Sequence, residues 1–262
     1  VYLLIPKLDA KPMKTVLAFH GHGYGVKDIV GLRENGRERN ASGGYQKDFA
    51  VELCRQGFIV AAPEIACFGE RITDFSYLNK AIDQAEPTTC SHSVALASHL
   101  GFTILGFRLY EMKRLIDYLT SRNEFDVSRM GVMGISGGGM LAFFLAALEK
   151  RIKASVISGY FCTFKDSILA MEHCSCNFVP GLAQFGEMYD LAGLIAPRPM
   201  LVEAGSHDGI FPINAAKRSV KKARAIYRIF DTDKSLETDF FVGPHQINGA
   251  KAYDFLSTEL SE

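Results

Sequence analysis

The feature that most constrains how this chain folds is a glycine-rich turn around Ser136. An apolar run ends in Gly134-Ile135-Ser136-Gly137-Gly138, and a stretch of apolar and small residues follows. This pattern predicts a buried strand, a tight turn with the serine at its tip, and the start of a helix. Glycines suit the turn because the two backbones approach each other closely and the serine adopts a strained conformation.

Strand-like and helix-like segments alternate along most of the chain, which indicates an α/β fold with a mostly parallel twisted sheet and helices on both faces. A length of 262 residues fits a single domain of this kind. Buried strands are predicted at 15–20, 57–63, 126–135, 152–158, 199–203 and 239–242, and helices at 102–121, 213–227 and 250–260.

Three stretches interrupt the alternation, at 25–46, 67–101 and 161–184. The first is polar and rich in glycine, the second shows no sustained period, and the third comes after the strand that follows the serine turn. Loops of this length inside a compact domain are usually functional. We therefore expect one domain, residues 1–262, with loop or cap excursions at these three places. The sequence does not indicate which of them covers the site.

Charge and hydropathy exclude several classes of partner. The chain has 29 basic and 29 acidic residues, so no net field draws it to nucleic acid or to a charged membrane. The longest apolar stretch, 140–148, is too short to span a bilayer. We expect a small-molecule substrate, and the oligomeric state stays open.

The cysteines predict a reducing environment. Six of them, at 54, 67, 90, 162, 174 and 176, do not make a disulfide scaffold in a chain of 262 residues. No Cys-x-x-Cys pair occurs, and we expect Cys174 and Cys176 to be too close together and too isolated for a zinc site. Reduced thiols predict a cytoplasmic protein. Because the chain begins at Val1 rather than Met, a signal peptide and secretion stay open as an alternative.

Ser136 is a weak nucleophile by itself, so it needs a base within hydrogen-bond reach and a group that orients this base. Further along the chain, one predicted strand leads to Asp208 and a later one leads to His245 in Gly243-Pro244-His245. Serine, acid and histidine in this order are typical of a nucleophile on a strand-to-helix turn. Because ligands bind outside the carboxyl ends of parallel strands, all three side chains should converge at one edge of the sheet. We predict that they form a catalytic triad.

Other residues compete for two of these roles. His207 adjoins Asp208, but neighbouring side chains on a turn point apart, so His207 is expected to be a loop residue near the site. Glu203 lies within its predicted strand, and Asp231 and Asp233 fall between elements. Asp208 is therefore the favoured acid.

A tetrahedral intermediate needs N–H donors that point at its oxyanion. One predicted donor is the backbone N–H of Gly137, and the second is that of His22, or of Gly23, in the loop after an early strand. An alternative makes His20 and His22 metal ligands, but the sequence supplies no third ligand nearby. We expect no metal and no cofactor.

Two further features have competing interpretations. Gly137-Gly138-Gly139 lacks the lysine and threonine of a phosphate-binding loop, so close packing of the helix on a strand is favoured. Arg71 follows a predicted strand end, where it could bind a substrate carboxylate. An ion pair that braces the loop is the favoured role for Arg71.

In these motifs the chain resembles the dienelactone-hydrolase-like and acetyl-xylan-esterase-like branch of the α/β-hydrolase superfamily. The likeness runs from about Thr15 to the C-terminus. Dienelactone hydrolases proper use a cysteine nucleophile, whereas this chain has Ser136. The resemblance rests on four segments: residues 19–23, 134–138, 195–199 leading to Asp208, and 243–245. The run Ala196-Pro197-Arg198-Pro199 is a more specific motif than the serine turn.

This resemblance implies the α/β-hydrolase fold and a serine carboxylic-ester hydrolase without a cofactor, acting on small acyl groups such as acetyl. A peptidase or amidase, a thioesterase and a lactonase would use the same triad and stay open as alternatives. A non-catalytic binding module on this fold typically lacks a member of the triad, and all three are present here.

Overall fold

One seven-stranded sheet organises the chain, in a computed structural model that describes residues 1–7, 13–74 and 88–261. The strand order is β1-β3-β2-β4-β5-β6-β7, and only β1 runs antiparallel to its neighbour. This confirms the predicted mostly parallel α/β sheet. The strands are β1 (Tyr2–Leu4), β2 (Met13–Phe19), β3 (Ile59–Ala62), β4 (Phe125–Ile135), β5 (Ile152–Ser158), β6 (Met200–Gly205) and β7 (Leu236–Phe241).

Helices cover both faces of the sheet, as predicted. Short 3-10 helices lie at Val26–Asp28, Gly69–Arg71, Ser175–Asn177, Leu182–Gln184, Ala192–Leu194 and Asp233–Ser235. The α-helices are α1 (Phe49–Arg55), α2 (Cys90–His99), α3 (Ile104–Thr120), α4 (Gly137–Leu148), α5 (Met188–Leu191), α6 (Ile213–Ile229) and α7 (Ala252–Glu259). None of these described helices has both the length and the hydropathy that a membrane span needs.

Alternation along β2 shows how the sheet separates two hydrophobic cores. Leu17 and Phe19 pack into the core that holds α3, α4 and α6, whereas Val16 and Ala18 pack into the core that holds α1 and α7. All four side chains are fully buried. Successive side chains of a strand point to opposite faces, so a strand covered on both faces is apolar throughout.

Close backbone packing explains the glycines of the serine turn. A Cβ atom at Gly138 would lie 2.0 Å from the carbonyl oxygen of Phe19, and one at Gly134 would lie 2.2 Å from that of Gly138. Any side chain at these positions would push α4 away from the sheet. The interpretation of Gly137-Gly138-Gly139 as a packing feature is thus confirmed for Gly138.

The structure also contains elements that the sequence patterns did not indicate. These are the edge strand β1 and the helices α1, α2 and α5, of which α2 lies inside the excursion 67–101. Residues 75–87 of that excursion lie outside the described residues. The strand predicted at 239–242 begins earlier, at Leu236. The sequence pattern missed its first residues because they are largely polar and do not form the apolar run that predicts a buried strand.

Candidate active site

Ser136 occupies the tip of the turn between β4 and α4. Its backbone has φ 58° and ψ −122°, a conformation that costs a non-glycine residue about 1–3 kcal/mol. Its N–H donates to the carbonyl oxygen of Ser158 on β5 at 3.0 Å. The side chain is therefore held at the N-terminus of α4, where developing negative charge is favoured.

Asp208 and His245 lie in the loops that follow β6 and β7. The Oδ2 atom of Asp208 is 2.6 Å from Nδ1 of His245. The other carboxylate oxygen of Asp208 accepts hydrogen bonds from the N–H groups of Ile210, at 3.0 Å, and Phe211, at 2.9 Å. These bonds fix the carboxylate, which in turn orients the imidazole. The neighbouring His207 is exposed.

The imidazole of His245 is held between aromatic rings. Its centroid lies 5.4 Å from that of Tyr45, with 27° between the ring planes, and 5.7 Å from that of Phe211, with 20° between the planes. A Cβ atom at Gly159 would lie 2.8 Å from Cε1 of His245, so the glycine leaves room for the ring. The Nε2 atom is buried and has no hydrogen-bond partner among the described residues. It is the atom that could accept a proton.

Ser136 and His245 line the same cavity, which has a volume of about 320 Å³. Gly137, His22 and Tyr45 also line it, and the segment 172–177 contributes several further lining residues. Two predicted excursions therefore reach the cavity, 25–46 through Tyr45 and 161–184 through this segment. The volume is at the lower end of the range of small-molecule sites.

The loop after β2 carries His22 to the cavity. The hydroxyl of Tyr45 donates to the carbonyl oxygen of His22 at 2.6 Å, and the N–H of Gly21 donates to Oε1 of the buried Gln46 at 2.7 Å. Burial raises the pKa of Tyr45 well above its ordinary value, so this hydroxyl keeps its proton and remains a donor. Gly23 is not among the described residues that line the cavity.

His20 does not face the cavity. Its Nδ1 atom is 2.8 Å from the carbonyl oxygen of Gly21, and its Nε2 atom accepts the N–H of Ile65 at 3.1 Å. Because both ring nitrogens are used in this way, the predicted alternative of a metal site shared by His20 and His22 does not hold.

His22 instead lies beside three cysteines. Its Nε2 atom is 3.6 Å from Sγ of Cys176, and the ligand atoms of His22, Cys90, Cys174 and Cys176 all lie within 4.8 Å of one another. Burial lowers the pKa of His22, but hydrogen bonds with the thiols of Cys174 and Cys90 outweigh burial and raise the pKa to about 9. The expectation that Cys174 and Cys176 are isolated is wrong, because the fold brings Cys90 and His22 to them.

The rival acid Glu203 has a structural role. Its fully buried carboxylate accepts hydrogen bonds from the hydroxyl of Ser158 at 2.7 Å and from the N–H groups of Asn248 and Gly249 at 3.0 and 2.7 Å. Burial raises its pKa, although these donors oppose the shift. The carboxylate ties β5 to the loop that carries His245.

The remaining candidates do not line the cavity. Asp231 and Asp233 precede β7 and are therefore at the opposite end of that strand from His245. Arg71 donates to both carboxylate oxygens of Glu111, at 3.0 and 2.5 Å. The interpretation of Arg71 as a loop brace is confirmed.

Two residues that line the cavity, and one beside it, had no sequence signal. Tyr45 lies at the end of a polar excursion without periodicity, Phe211 follows the acid in an irregular loop, and Cys90 begins a helix that the pattern did not indicate. A search for aromatic residues near predicted strand ends would have included Phe211 but would not have singled it out.

The parallel sheet with a strained serine between β4 and α4, and with an acid and a histidine after the last two strands, defines an α/β hydrolase. The model of the Abhydrolase family matches residues 1–239, and the chain belongs to this family. The matched range ends shortly before His245. The predicted resemblance to α/β hydrolases is thereby confirmed.

Relatives in sequence and structure agree with this assignment. The chain is 28% identical over 235 residues to the "Putative hydrolase YtaP" of Bacillus subtilis (strain 168), covering 86% of this chain and 71% of that protein. A crystal structure described as a "putative acetyl xylan esterase" from Bacteroides fragilis superimposes with a TM-score of 0.73 at 18% identity, covering 91% of this chain but only 61% of the other. A glucuronoyl esterase from Solibacter usitatus gives 0.67 at 14% identity, covering 98% and 76%. At these identities the two structures show a shared fold.

Proposed function

We propose that this protein is a serine carboxylic-ester hydrolase in which Ser136 is the nucleophile, His245 the base and Asp208 the orienting acid. The observation that carries the proposal is the Asp208–His245 hydrogen bond of 2.6 Å, with the unpartnered Nε2 of the same imidazole in the cavity of Ser136. This is the relation between base and orienting group that an activated serine needs.

In this mechanism Ser136 Oγ attacks the ester carbonyl carbon while Nε2 of His245 takes the hydroxyl proton. The tetrahedral intermediate collapses, the C–O bond to the alcohol breaks, and the imidazolium returns the proton to the departing alcohol. Water then attacks the acyl-serine with the same base, and the acid is released. Asp208 stabilises the imidazolium in both steps.

For the oxyanion hole we propose the backbone N–H groups of Gly137 and His22. Among the described residues, neither has a backbone acceptor. The carbonyl of His22 points at the hydroxyl of Tyr45, a residue that lines the same cavity as Ser136. In a trans peptide the N–H points opposite to the carbonyl, so the N–H of Gly23 is directed away from the serine. This favours His22 over Gly23.

The proposed substrate class is small acyl esters, of acetyl type, with a carbohydrate as the alcohol part. A cavity of about 320 Å³ has room for a short acyl chain and part of a sugar. Names among the structural neighbours, which include acetyl xylan esterase, glucuronoyl esterase and methylesterase, support an ester of this kind. All the proposed catalytic residues directly follow strands of one sheet, and this supports the proposal that the chain forms a single domain.

The test is hydrolysis of p-nitrophenyl acetate and of longer p-nitrophenyl esters by the wild type and by Ser136→Ala. We expect the variant to lose about a thousandfold or more in kcat, and the wild-type rate to fall as the acyl chain lengthens. His245→Ala should lose activity to a similar extent, and His207→Ala is the matched control that should not. Equal rates for the wild type and Ser136→Ala would refute the mechanism. Faster turnover of matched amides than of esters would favour an amidase.

A further inference from the structure

A cluster of metal-ligating side chains lies beside the cavity, and the proposed ester hydrolysis does not use it. His22 follows β2, Cys90 begins α2, and Cys174 and Cys176 flank one residue of the segment 172–177. Three stretches that are distant in sequence thus place one nitrogen and three sulfur atoms within 4.8 Å of one another. All six cysteines of the chain are free thiols.

The spacing of these atoms matches the edges of a small tetrahedron. Zinc bound at ordinary lengths, about 2.3 Å to sulfur and about 2.0 Å to nitrogen, separates its ligands by about 3.6 Å for S···N and about 3.8 Å for S···S. The observed distance from Cys176 Sγ to His22 Nε2 is 3.6 Å. The upper limit of 4.8 Å for the other pairs exceeds the S···S separation in such a tetrahedron by roughly 1 Å.

Charge provides a second and independent observation. Arg108, on α3, is only 2% exposed, and no carboxylate pairs with it in the described parts of the chain. Its Nη2 donates to the carbonyl oxygen of Ala66 at 2.8 Å and lies 3.4 Å from Sγ of Cys90. The thiols of Cys176 and Cys67 also act electrostatically on this guanidinium.

A buried cation without an anion nearby is strongly unfavourable. One divalent ion bound by three thiolates and a neutral imidazole has a net charge of −1, which the guanidinium of Arg108 neutralises. The same four side chains as neutral thiols and imidazole would leave this cation unpaired.

We propose that His22, Cys90, Cys174 and Cys176 bind one zinc ion as a structural site. Three thiolates and one imidazole are ligands that zinc prefers, and four protein ligands leave no open position for water, as is typical of structural and not catalytic zinc. The site ties the loop that carries the proposed oxyanion donor to α2 and to the wall of the cavity. It does not depend on ester hydrolysis.

The ring of His22 shows how closely this site borders the cavity. A Cβ atom at Gly137 would lie 2.9 Å from both Nδ1 and Cε1 of His22, so one edge of the ring faces the serine turn while Nε2 faces the sulfur atoms. Phe68 packs edge-on against the ring, with a centroid distance of 5.1 Å. Zinc at Nε2 would fix this ring and, with it, the position of the loop.

The experiment measures metal content in untagged full-length protein, purified under reducing conditions without chelators. We expect about one zinc per chain in the wild type and in Ser136→Ala, and a loss of most of the zinc in Cys90→Ser and Cys176→Ser. Cys54→Ser, which changes a half-buried cysteine on α1 outside the cluster, is the matched control that keeps the zinc.

Cobalt substitution keeps the test decisive if the cysteine variants do not fold. Wild-type protein loaded with Co²⁺ should show the intense visible bands of a tetrahedral ion and thiolate-to-metal charge transfer in the near ultraviolet. The proposal is overturned if reduced wild-type protein contains no zinc and gives only the weak spectrum of octahedral cobalt. It is also overturned if metal-free protein contains a disulfide between Cys90 and Cys174 or Cys176 and unfolds at the same urea concentration as the protein purified under reducing conditions.

Discussion

The hydroxyl of Tyr45 offers a direct way to separate the position of the oxyanion loop from the packing of the base. Tyr45→Phe removes the hydrogen bond of 2.6 Å to the carbonyl oxygen of His22 and leaves the ring that stacks on His245. A buried carbonyl that loses its donor costs about 1–3 kcal/mol. If the same free energy is lost from transition-state stabilisation, kcat/KM falls by about fivefold to 150-fold.

We expect most of this loss in kcat, because the peptide that adjoins the proposed oxyanion donor is misplaced while the cavity keeps its volume. The assay is steady-state hydrolysis of p-nitrophenyl acetate, with urea unfolding of each variant to measure stability. Tyr227→Phe is the control, since its hydroxyl also donates to a backbone carbonyl, that of Arg198 at 2.9 Å, but does not line the cavity. Wild-type kcat/KM in Tyr45→Phe, or an equal loss in Tyr227→Phe, would refute the reasoning.

Two further predictions concern stability. Gly138→Ala should lower the free energy of unfolding, measured by urea titration, by about 1–3 kcal/mol or prevent folding, because its Cβ would lie 2.0 Å from the carbonyl oxygen of Phe19. The control is Gly43→Ala, whose Cβ meets nothing within 4 Å and which should leave the free energy of unfolding nearly unchanged. Equal effects of the two substitutions would contradict the packing argument. Glu149→Gln should make the free energy of unfolding fall less steeply as the pH is lowered. Hydrogen bonds from Arg151 lower the pKa of Glu149 in the folded protein. The stabilisation by this carboxylate is therefore present above the ordinary carboxyl pKa and is lost as the pH falls through the folded-state pKa. Unfolding titrations from about pH 6 to about pH 3 measure this slope, and an unchanged slope would show that the ion pair adds nothing.

Sequence patterns predicted those parts of the structure in which one local rule dominates. The serine turn, β5 and α3 were found because strand burial and helical period are visible within about ten residues. The convergence of Ser136, Asp208 and His245 was predicted from the rule that strand ends of a parallel sheet meet at one edge. The proximity of Asp208 and His245 could therefore be predicted without knowing how the loops fold.

Features that depend on contacts between excursions were not predictable in this way. Tyr45 reaches His245 because an irregular segment folds back over the sheet, and its own sequence has no period that encodes this path. Cys90 meets Cys176 for the same reason. α1 was missed because it is one of the shortest helices and follows a polar stretch directly.

The place of Cys174 in the wall of the cavity affects how inhibitor data on this protein should be read. Cys174 lines the same cavity as Ser136, so an alkylating reagent that takes its sulfur from the proposed zinc site would fill the space that an ester needs. Inactivation by a thiol reagent is therefore no sign of a cysteine nucleophile. The diagnostic experiment is labelling of the unmodified protein by a fluorophosphonate probe, which reports a reactive serine directly.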